Sequence, residues 1–296
     1  MNVSRYTSRF APSPTGHLHL GSVYTALASF LDAKANRGLW KLRIDDLDTP
    51  RNVLGSVTNI LKTLEILGLH WDDKVDYQSL HIEEYQEILL KLLAENKIYR
   101  CQCSRKNLTS IYAQTCRYQR ISTDTPHSLR IKTNSQQIIF NDGLHGQISH
   151  NLATQHGDFI LKRRDNIIAY QFAVVIDDFR QNITHIVRGA DLLHETPKQI
   201  FLQQVLDFPT PNYVHVPVLT NAKGEKLSKQ TLASPVDLKA PNQVLFNLLN
   251  LLKQNPPQSL RNEKVAEILR WGTENWQKSD IVKISEQTEN RFLISQ

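Results

Sequence analysis

The chain has three cysteines in 296 residues, and no stretch of it approaches the roughly twenty consecutive apolar residues that a membrane helix needs. The opening "MNVSRYTSRF" lacks the apolar segment of an export signal, so neither insertion nor secretion is expected and the cytoplasm is the expected location. No internal repeat or low-complexity tract occurs. Three thiols crowded between positions 101 and 116 are poor material for a disulfide framework in a reducing compartment, and they point to a metal.

What is present is a globular composition. Apolar residues make up 40% of the chain, enough for a full core, and the length suits one large domain with a smaller one. A net charge of +6 and a pI near 9.1 favour a polyanionic partner such as nucleic acid and say little about fold.

Residues Tyr6 to Ala11 suit a strand, after which the chain turns through Pro12, Ser13, Pro14, Thr15 and Gly16. Beyond Gly21 the apolar positions Val23, Ala26, Leu27, Phe30 and Leu31 fall on one helical face, with Ser22 as N-cap and Gly38 past the end. The stretch "WKLRID" alternates, putting Trp40, Leu42 and Ile44 on one side and Lys41, Arg43 and Asp45 on the other. Strand, helix and strand in that order predict a βαβ unit, a parallel sheet and an α/β fold. Amphipathic helices are expected around Val57, Ile60, Leu61 and Leu64, and around Tyr85, Ile88, Leu89, Leu92 and Leu93.

Past Tyr99 the periodicity weakens, and the cysteines together with "STDTPHSLRIKTNSQQIIFNDGLHGQISH" read as an inserted subdomain of short strands. Buried strands are expected to resume in "FILKRRDNIIAYQFAVVIDDF", followed by "THIVRGADLL" and a helix through Ile200, Phe201 and Val205. Val244, Leu245, Leu248 and Leu252, then Val265, Ile268 and Leu269, recur at helical spacing and predict a small helical tail. The expected division is 1–98 and 159–235 for the two halves of the α/β domain, 99–158 for the insertion and 236–296 for the tail.

The stretch "RFAPSPTGHLHLG" carries the chemistry. The first strand-to-helix turn of an open α/β sheet lies at the carboxyl ends of the strands, where the exposed N–H groups of the helix favour anions. His17 and His19 lie where the turn enters the helix, within reach of phosphate oxygens, and Gly21 removes a side chain where a flat base or a backbone approaches. A proline-rich turn whose histidines merely hydrogen-bond the backbone has the same composition, so the turn alone leaves both readings open.

The same stretch resembles the first signature of class I aminoacyl-tRNA synthetases, with "HLGS" (His19 to Ser22) at the place of the HIGH motif. "EKLSKQ" (Glu225 to Gln230) resembles the KMSKS loop, and Arg9, Pro12, Ser13, Pro14, Thr15, Gly16, Leu18, His19 and Gly21 match the glutamyl type rather than the glutaminyl type. "RIDDLDTPR", "WDDKVDYQS", "YRCQC", "AYQFAVVIDDF" and "IVRGADLL" follow in order, so the resemblance spans residues 5–230. It implies a Rossmann-like catalytic domain and a ligase that uses L-glutamate and ATP with Mg2+. It further implies His17, His19, Lys226 and Lys229 as catalytic groups, and Pro12, His19, Gly21 and Lys229 at ATP. Arg9, Ala11, Ser13, Asp45, Tyr170 and Arg188 are the implied glutamate pocket.

These residue types suit that chemistry. Attack of a carboxylate on the α-phosphate of ATP needs alignment and stabilisation of phosphate charge more than covalent help, which histidines, a helix terminus and lysines supply. Two arginines converging on one pocket select glutamate over glutamine by charge, because a guanidinium grips a carboxylate through two bonds. Outside the resemblance, Arg188 reads as a surface ion pair, Tyr170 as a core aromatic and "KLSK" as solvated lysines. One position departs from the family pattern: Asp45 stands where members usually have Glu, the expected holder of the substrate's ammonium, and it is one methylene shorter.

Zinc takes four ligands in a tetrahedral structural site, and Cys101, Cys103 and Cys116 supply three. Tyr112, His127 or a water is within reach as the fourth, and three buried free thiols are the plain alternative. The resemblance implies Tyr112, since short glutamyl-synthetase-like proteins carry Cys-x-Cys followed by Tyr-x-x-x-Cys, the spacing of "YAQTC". The role expected of Zn2+ is to staple the insertion.

Glutamyl-tRNA synthetases carry a large helical anticodon-binding region after the KMSKS loop, whereas only residues 231–296 follow Gln230 here. The resemblance therefore implies a truncated branch of the family that transfers glutamate to the queuosine base at the wobble position of tRNA(Asp). A monomer is expected. The alternatives are a compact enzyme charging the 3′ end of tRNA(Glu) and a catalytically silent RNA-binding paralogue; intact His19, Lys226 and Lys229 count against the latter.

Overall fold

Alternation and helical spacing build the first unit. The computed structural model describes residues 5–103, 111–112, 114–220 and 236–281, with 291–293 described by backbone alone. Strand β1 (Thr7–Phe10) leads through the proline-rich turn into α1 (Leu20–Ala35), and β2 (Leu39–Ile44) returns parallel to β1, Thr7 opposite Leu39 and Phe10 opposite Leu42. Trp40, Leu42 and Ile44 are fully buried, as the alternation requires. Helix α2 (Ser56–Ile66) follows, then β3 (Asp76–Tyr77), which pairs in parallel with the other edge of β2, and α3 (Ile82–Ala94). The N-cap of α1 is His19 and not Ser22: the Nδ1 atom of His19 accepts the Ser22 N–H at 3.3 Å, so Ser22 lies inside the first turn. A histidine nitrogen there does what a serine oxygen does in most caps.

The insertion is antiparallel. Strands β4 (Ile98–Cys101) and β5 (Ser128–Ile131) pair with Ile98 opposite Ile131, while β6 (Gln137–Asp142) and β7 (Gly146–Asn151) form a hairpin leading into the short α4 (Leu152–Gln155). Strand β8 (Ile160–Lys162) joins the outer edge of β5.

The segment after β8 departs from expectation. "AVVIDDF" lies in helix α5 (Tyr170–Arg180) and not in a buried strand. Its β-branched run suggests a strand, but Phe172 through Ile176 are buried all round, which erases the amphipathic period, and Asp177 pairs with Arg180 one turn on at 2.7 Å. Strand β9 (His185–Gly189), helix α6 (Thr196–Leu206) and strand β10 (Asn212–Val216) complete a second parallel pair, with Arg188 opposite His215. The Thr184 N–H donates to the Thr7 carbonyl at 2.9 Å, and the Thr7 N–H donates to Thr184 Oγ1 at 2.9 Å, fastening the start of β9 to the start of β1. Strand β11 (Val218–Thr220), helices α7 (Pro241–Leu251) and α8 (Val265–Glu274), and strand β12 (Arg291–Leu293), parallel to β11, close the order.

Helices α7 and α8 share one core with α1, β1 and β2, through Leu245, Leu248, Leu249 and Ile268 against Leu27, Leu31 and Leu42. A Cβ on Gly272 would meet Leu31 and Leu249, both at 3.2 Å, which shows how closely α8 approaches α1 and α7. This contact explains why α1 is buried on more than the single face its spacing suggests. The indole of Trp276 donates to Asp32 of α1 at 2.8 Å, and the Tyr6 hydroxyl donates to the same carboxylate. A second core joins α3, α5 and α6 with the strands of the insertion. Among the described residues no helix is long and apolar enough to cross a membrane.

Gly38 lies where α1 hands over to β2, beside the chain entering β1. A Cβ there would stand 2.5 Å from the Tyr6 carbonyl oxygen and 2.9 Å from Tyr6 Cβ, and backbone cannot swing aside as a side chain can. Gly38→Ala is expected to destabilise the protein by about 1–3 kcal/mol, read by urea denaturation; an unchanged midpoint would show that β1 is free to shift.

Candidate active site

A cleft of about 700 Å³ opens beyond the carboxyl ends of β1 and β9. Arg9, Ala11, Pro12 and Ser13 come to its wall from β1 and the turn, His19 and Gly21 from the start of α1, Tyr170 from the first residue of α5, and Arg188 from β9. Residues 149 or more positions apart in sequence, from Gly21 to Tyr170 upward, are therefore neighbours across one opening, the arrangement expected where ligands sit in open α/β sheets. Arg51 also lines the cleft, bound to Asp48 through its Nε at 2.6 Å. His17 is exposed and Asp45 is buried; neither is part of the wall. Lys226 and Lys229 lie outside the described residues.

The two arginines of the expected pocket differ in their partners. Arg9 is buried against Asp178, with Nε 3.0 Å and Nη2 3.4 Å from the two carboxylate oxygens. Asp178 also receives Arg43 Nη1 at 2.8 Å, and Arg43 Nε binds Asp45 at 2.7 Å. Burial raises the Asp178 pKa, but the adjacent Arg9 and Arg43 outweigh it and hold the carboxyl below its ordinary value. For Asp45 burial wins over the Arg43 contact, and its pKa is pushed up to about 6.

Arg188 is held differently. Its Nε donates to His215 Nε2 at 3.1 Å and its Nη2 to Thr196 Oγ1 at 2.8 Å, while the guanidinium lies over the Tyr213 ring, 5.2 Å from the centroid. Its Nη1 is buried with no hydrogen-bond partner among the described residues. Leaving that donor dry is costly, and Arg188 also lines the cleft, so an anion bound there could satisfy it. The sequence pattern marks Arg188 but not His215 and Thr196, which hold it, or Asp142, which holds His215.

The cysteines converge. The Sγ atoms of Cys101, Cys103 and Cys116 all lie within 4.8 Å of one another, with Cys103 and Cys116 3.5 Å apart. The Tyr112 hydroxyl stands 3.3 Å from Cys101 Sγ and 3.6 Å from Cys103 Sγ, while His127 Nδ1 lies 2.7 Å from the Thr125 carbonyl oxygen. A tetrahedron of thiolates around zinc at ~2.3 Å has edges of about 3.8 Å, so three sulfurs and this phenol have the spacing of a four-ligand site. The Arg130 guanidinium lies 4.0 Å from the Tyr112 ring centroid, a compensating charge for thiolates. Burial raises the Cys101 thiol, but hydrogen bonds from Tyr112, the Cys103 backbone and Arg130 bring its pKa down to about 7.

The sequence matches the family described as tRNA synthetases class I (E and Q), catalytic domain, over residues 6–124 and 113–254. The chain belongs to this family of aminoacyl-tRNA synthetases, which are ligases. Within it, the chain is 45% identical over 290 residues to the glutamyl-Q tRNA(Asp) synthetase of Neisseria meningitidis serogroup B, covering 94% of this chain and 98% of that one. It is 43% identical over 285 residues to the glutamyl-Q tRNA(Asp) synthetase of Aromatoleum aromaticum, covering 93% and 90%. Among solved structures it resembles a glutamate tRNA ligase from Elizabethkingia meningosepticum in complex with its amino acid, with a TM-score of 0.80 and 25% identity over 98% of this chain and 67% of that one.

Titration of this structure has a direction. Burial lowers His215 from 6.5 to about 4, and burial followed by the charge of Lys198 and the neighbouring His150 lowers His156 from 6.5 to about 4. Unfolded chains bind protons on these rings between about pH 6.5 and 4 while the folded protein does not, so their contribution to stability is complete above pH 6.5 and is lost as pH falls through 4. Asp45 works in the opposite sense, favouring the folded state as pH falls through 6. His156→Gln, away from the cleft, is expected to give a shallower fall in melting temperature over that window than the parent protein. Parallel curves would show that His156 is protonated without unfolding.

Proposed function

We propose that this protein activates L-glutamate with ATP to glutamyl-adenylate and transfers the glutamate to the queuosine base at the wobble position of tRNA(Asp), acting as a monomer in the cytoplasm. Two features support the reading: the similarity to glutamyl-Q tRNA(Asp) synthetases runs nearly end to end, and the cleft has a cationic wall suited to a carboxylate. The observation that carries the choice of amino acid is the unsatisfied Nη1 of Arg188.

In this reading a glutamate carboxylate oxygen attacks the α-phosphorus of ATP, and pyrophosphate leaves. Pro12, His19 and Gly21 at the start of α1 hold the nucleotide, with Mg2+ accompanying its phosphates, and His17, His19, Lys226 and Lys229 stabilise charge as it develops. Arg188 takes the side-chain carboxylate. Arg9, already bound to Asp178, supports it by position, and Ala11, Ser13 and Tyr170 shape the pocket. Asp45 is bound to Arg43 behind the wall, so it acts on the substrate's ammonium through an intervening water. A hydroxyl of the queuosine cyclopentenediol then attacks the activated carbonyl, and AMP leaves.

The test follows glutamate to its acceptor. Glutamate-dependent pyrophosphate exchange should occur without RNA and fall on the order of a hundredfold in His19→Ala. Labelled glutamate should then attach to tRNA(Asp) that carries queuosine and not to the same tRNA lacking it. Charging of unmodified tRNA(Glu) at its 3′ end would establish the compact synthetase instead, and absence of exchange the silent paralogue.

We further propose that Cys101, Cys103, Cys116 and Tyr112 hold one Zn2+, which ties the loop after β4 to the turn at 116 and takes no part in the chemistry. One zinc per chain is expected by elemental analysis. Cys103→Ser should lose it and lower the melting temperature; a metal-free and equally stable parent protein would end this assignment.

A further inference from the structure

The unsatisfied donor on Arg188 is useful only if the guanidinium is kept from rotating toward other partners, and the surrounding hydrogen bonds show how that is done. Arg188 and His215 are register partners on β9 and β10, so their side chains project from the same face of the sheet. An arginine nitrogen can only donate. His215 Nε2, 3.1 Å from Arg188 Nε, must therefore be the accepting nitrogen, and the ring proton is on Nδ1. That proton goes to Asp142 Oδ2 at 2.7 Å. The other Asp142 oxygen accepts the backbone N–H groups of Leu144 and His145, each at 3.0 Å. All three side chains are nearly or fully buried, so water does not substitute for any of these bonds.

Asp142 ends β6, at the tip of the inserted hairpin. That tip is fastened to β10 by two further bonds, from the Gly143 N–H to the Tyr213 carbonyl at 2.8 Å and from His145 Nε2 to the His215 carbonyl at 3.0 Å. Thr196, at the start of α6, takes Arg188 Nη2 and lies 2.9 Å from His215 Nε2. The guanidinium is thus held at Nε and Nη2 from one side, with Nη1 left over.

We propose that Asp142 and His215 are positioning residues for amino-acid recognition: the carboxylate at the hairpin tip fixes the tautomer of His215, and His215 fixes Arg188 with Nη1 presented to the side-chain carboxylate of the substrate. The inserted hairpin therefore completes the amino-acid pocket of the α/β domain. This rests on the reading of Arg188 as the carboxylate-binding group. A ring protonated on both nitrogens would set N–H against N–H, and its low pKa keeps that form away at neutral pH.

The test measures pyrophosphate exchange with glutamate and ATP varied separately. Arg188→Gln should raise the KM for glutamate more than tenfold. His215→Phe, which removes the acceptor, and His215→Asn, whose oxygen falls short of Arg188, should each raise it on the order of tenfold, with the KM for ATP within about twofold of the parent. In His215→Gln the side-chain oxygen stands near the place of Nε2, and it should restore most of that loss. A glutamate KM that does not move in His215→Phe and His215→Asn, or that rises as far in His215→Gln, overturns the positioning role while leaving the Arg188 reading intact. An unmoved KM in Arg188→Gln overturns the pocket reading and the positioning role with it. His215→Asn keeps the test decisive should the Phe variant fail to fold.

Discussion

One guanidinium without access to water organises the α/β domain. Arg43 on β2 is fully buried and meets three carboxylates: Asp45 two residues on, and Asp177 and Asp178 of α5. Burial opposes its charge, yet the three carboxylates hold its pKa well above the ordinary arginine value. Asp178 passes the interaction to Arg9 on β1, while Asp177 binds Arg180, Tyr85 of α3 and Gln78. The network therefore joins β1, β2, α3 and α5. Removing one member would strand a buried charge, at about 3–5 kcal/mol, whereas an apolar core of the same shape carries no such penalty. Its worth is in fixing β1 and the C-terminal half of α5 against β2, and the chain that leaves β1 then carries Ala11 and Ser13 to the cleft.

The same network divides labour between the arginines. Arg9 is matched by Asp178 before any ligand arrives, so its charge is largely consumed by the fold. Arg188 is bound by a neutral histidine and a hydroxyl, with no carboxylate ion pair among the described residues and one unpaired donor, Nη1. In the proposed reading, selection of an anionic side chain over an amide falls chiefly to Arg188, because a neutral amide there would leave a cation unmatched.

Local patterns in the sequence carried part of this structure. The βαβ unit was legible because period-two alternation in "WKLRID" and helical spacing in α1 are short-range signals, and α7 and α8 were legible for the same reason. Helix α5 was not, since a helix buried on all sides loses its amphipathic period and its Val-Val-Ile run mimics a strand. The cap of α1 was assigned to Ser22 by general preference, whereas the His19 ring took the role. In the cleft, the residue types were legible but their pairings were not. Arg43 and Arg9 meet Asp178 across 135 and 169 positions, and nothing in "FNDG" or "VHVP" marks Asp142 and His215 as partners.

The insertion then has two anchored ends with different physics. Near β4, three sulfurs and a phenol gather at metal-ligand spacing, where the local core among the described residues is Tyr99, Tyr112 and the cysteines, with Ile121 against them. A core that small buries too little apolar surface to hold a loop, which is the circumstance in which a metal staple contributes most. At the hairpin tip, the anchor is a buried carboxylate that satisfies two backbone amides and one imidazole. Because that imidazole is itself bound to Arg188, a shift of the hairpin relative to β10 would break the Asp142 contact and release the guanidinium together. Antiparallel strands that look like an accessory to the parallel sheet are thereby coupled to Arg188, the cation to which the proposed function assigns the substrate's side-chain carboxylate.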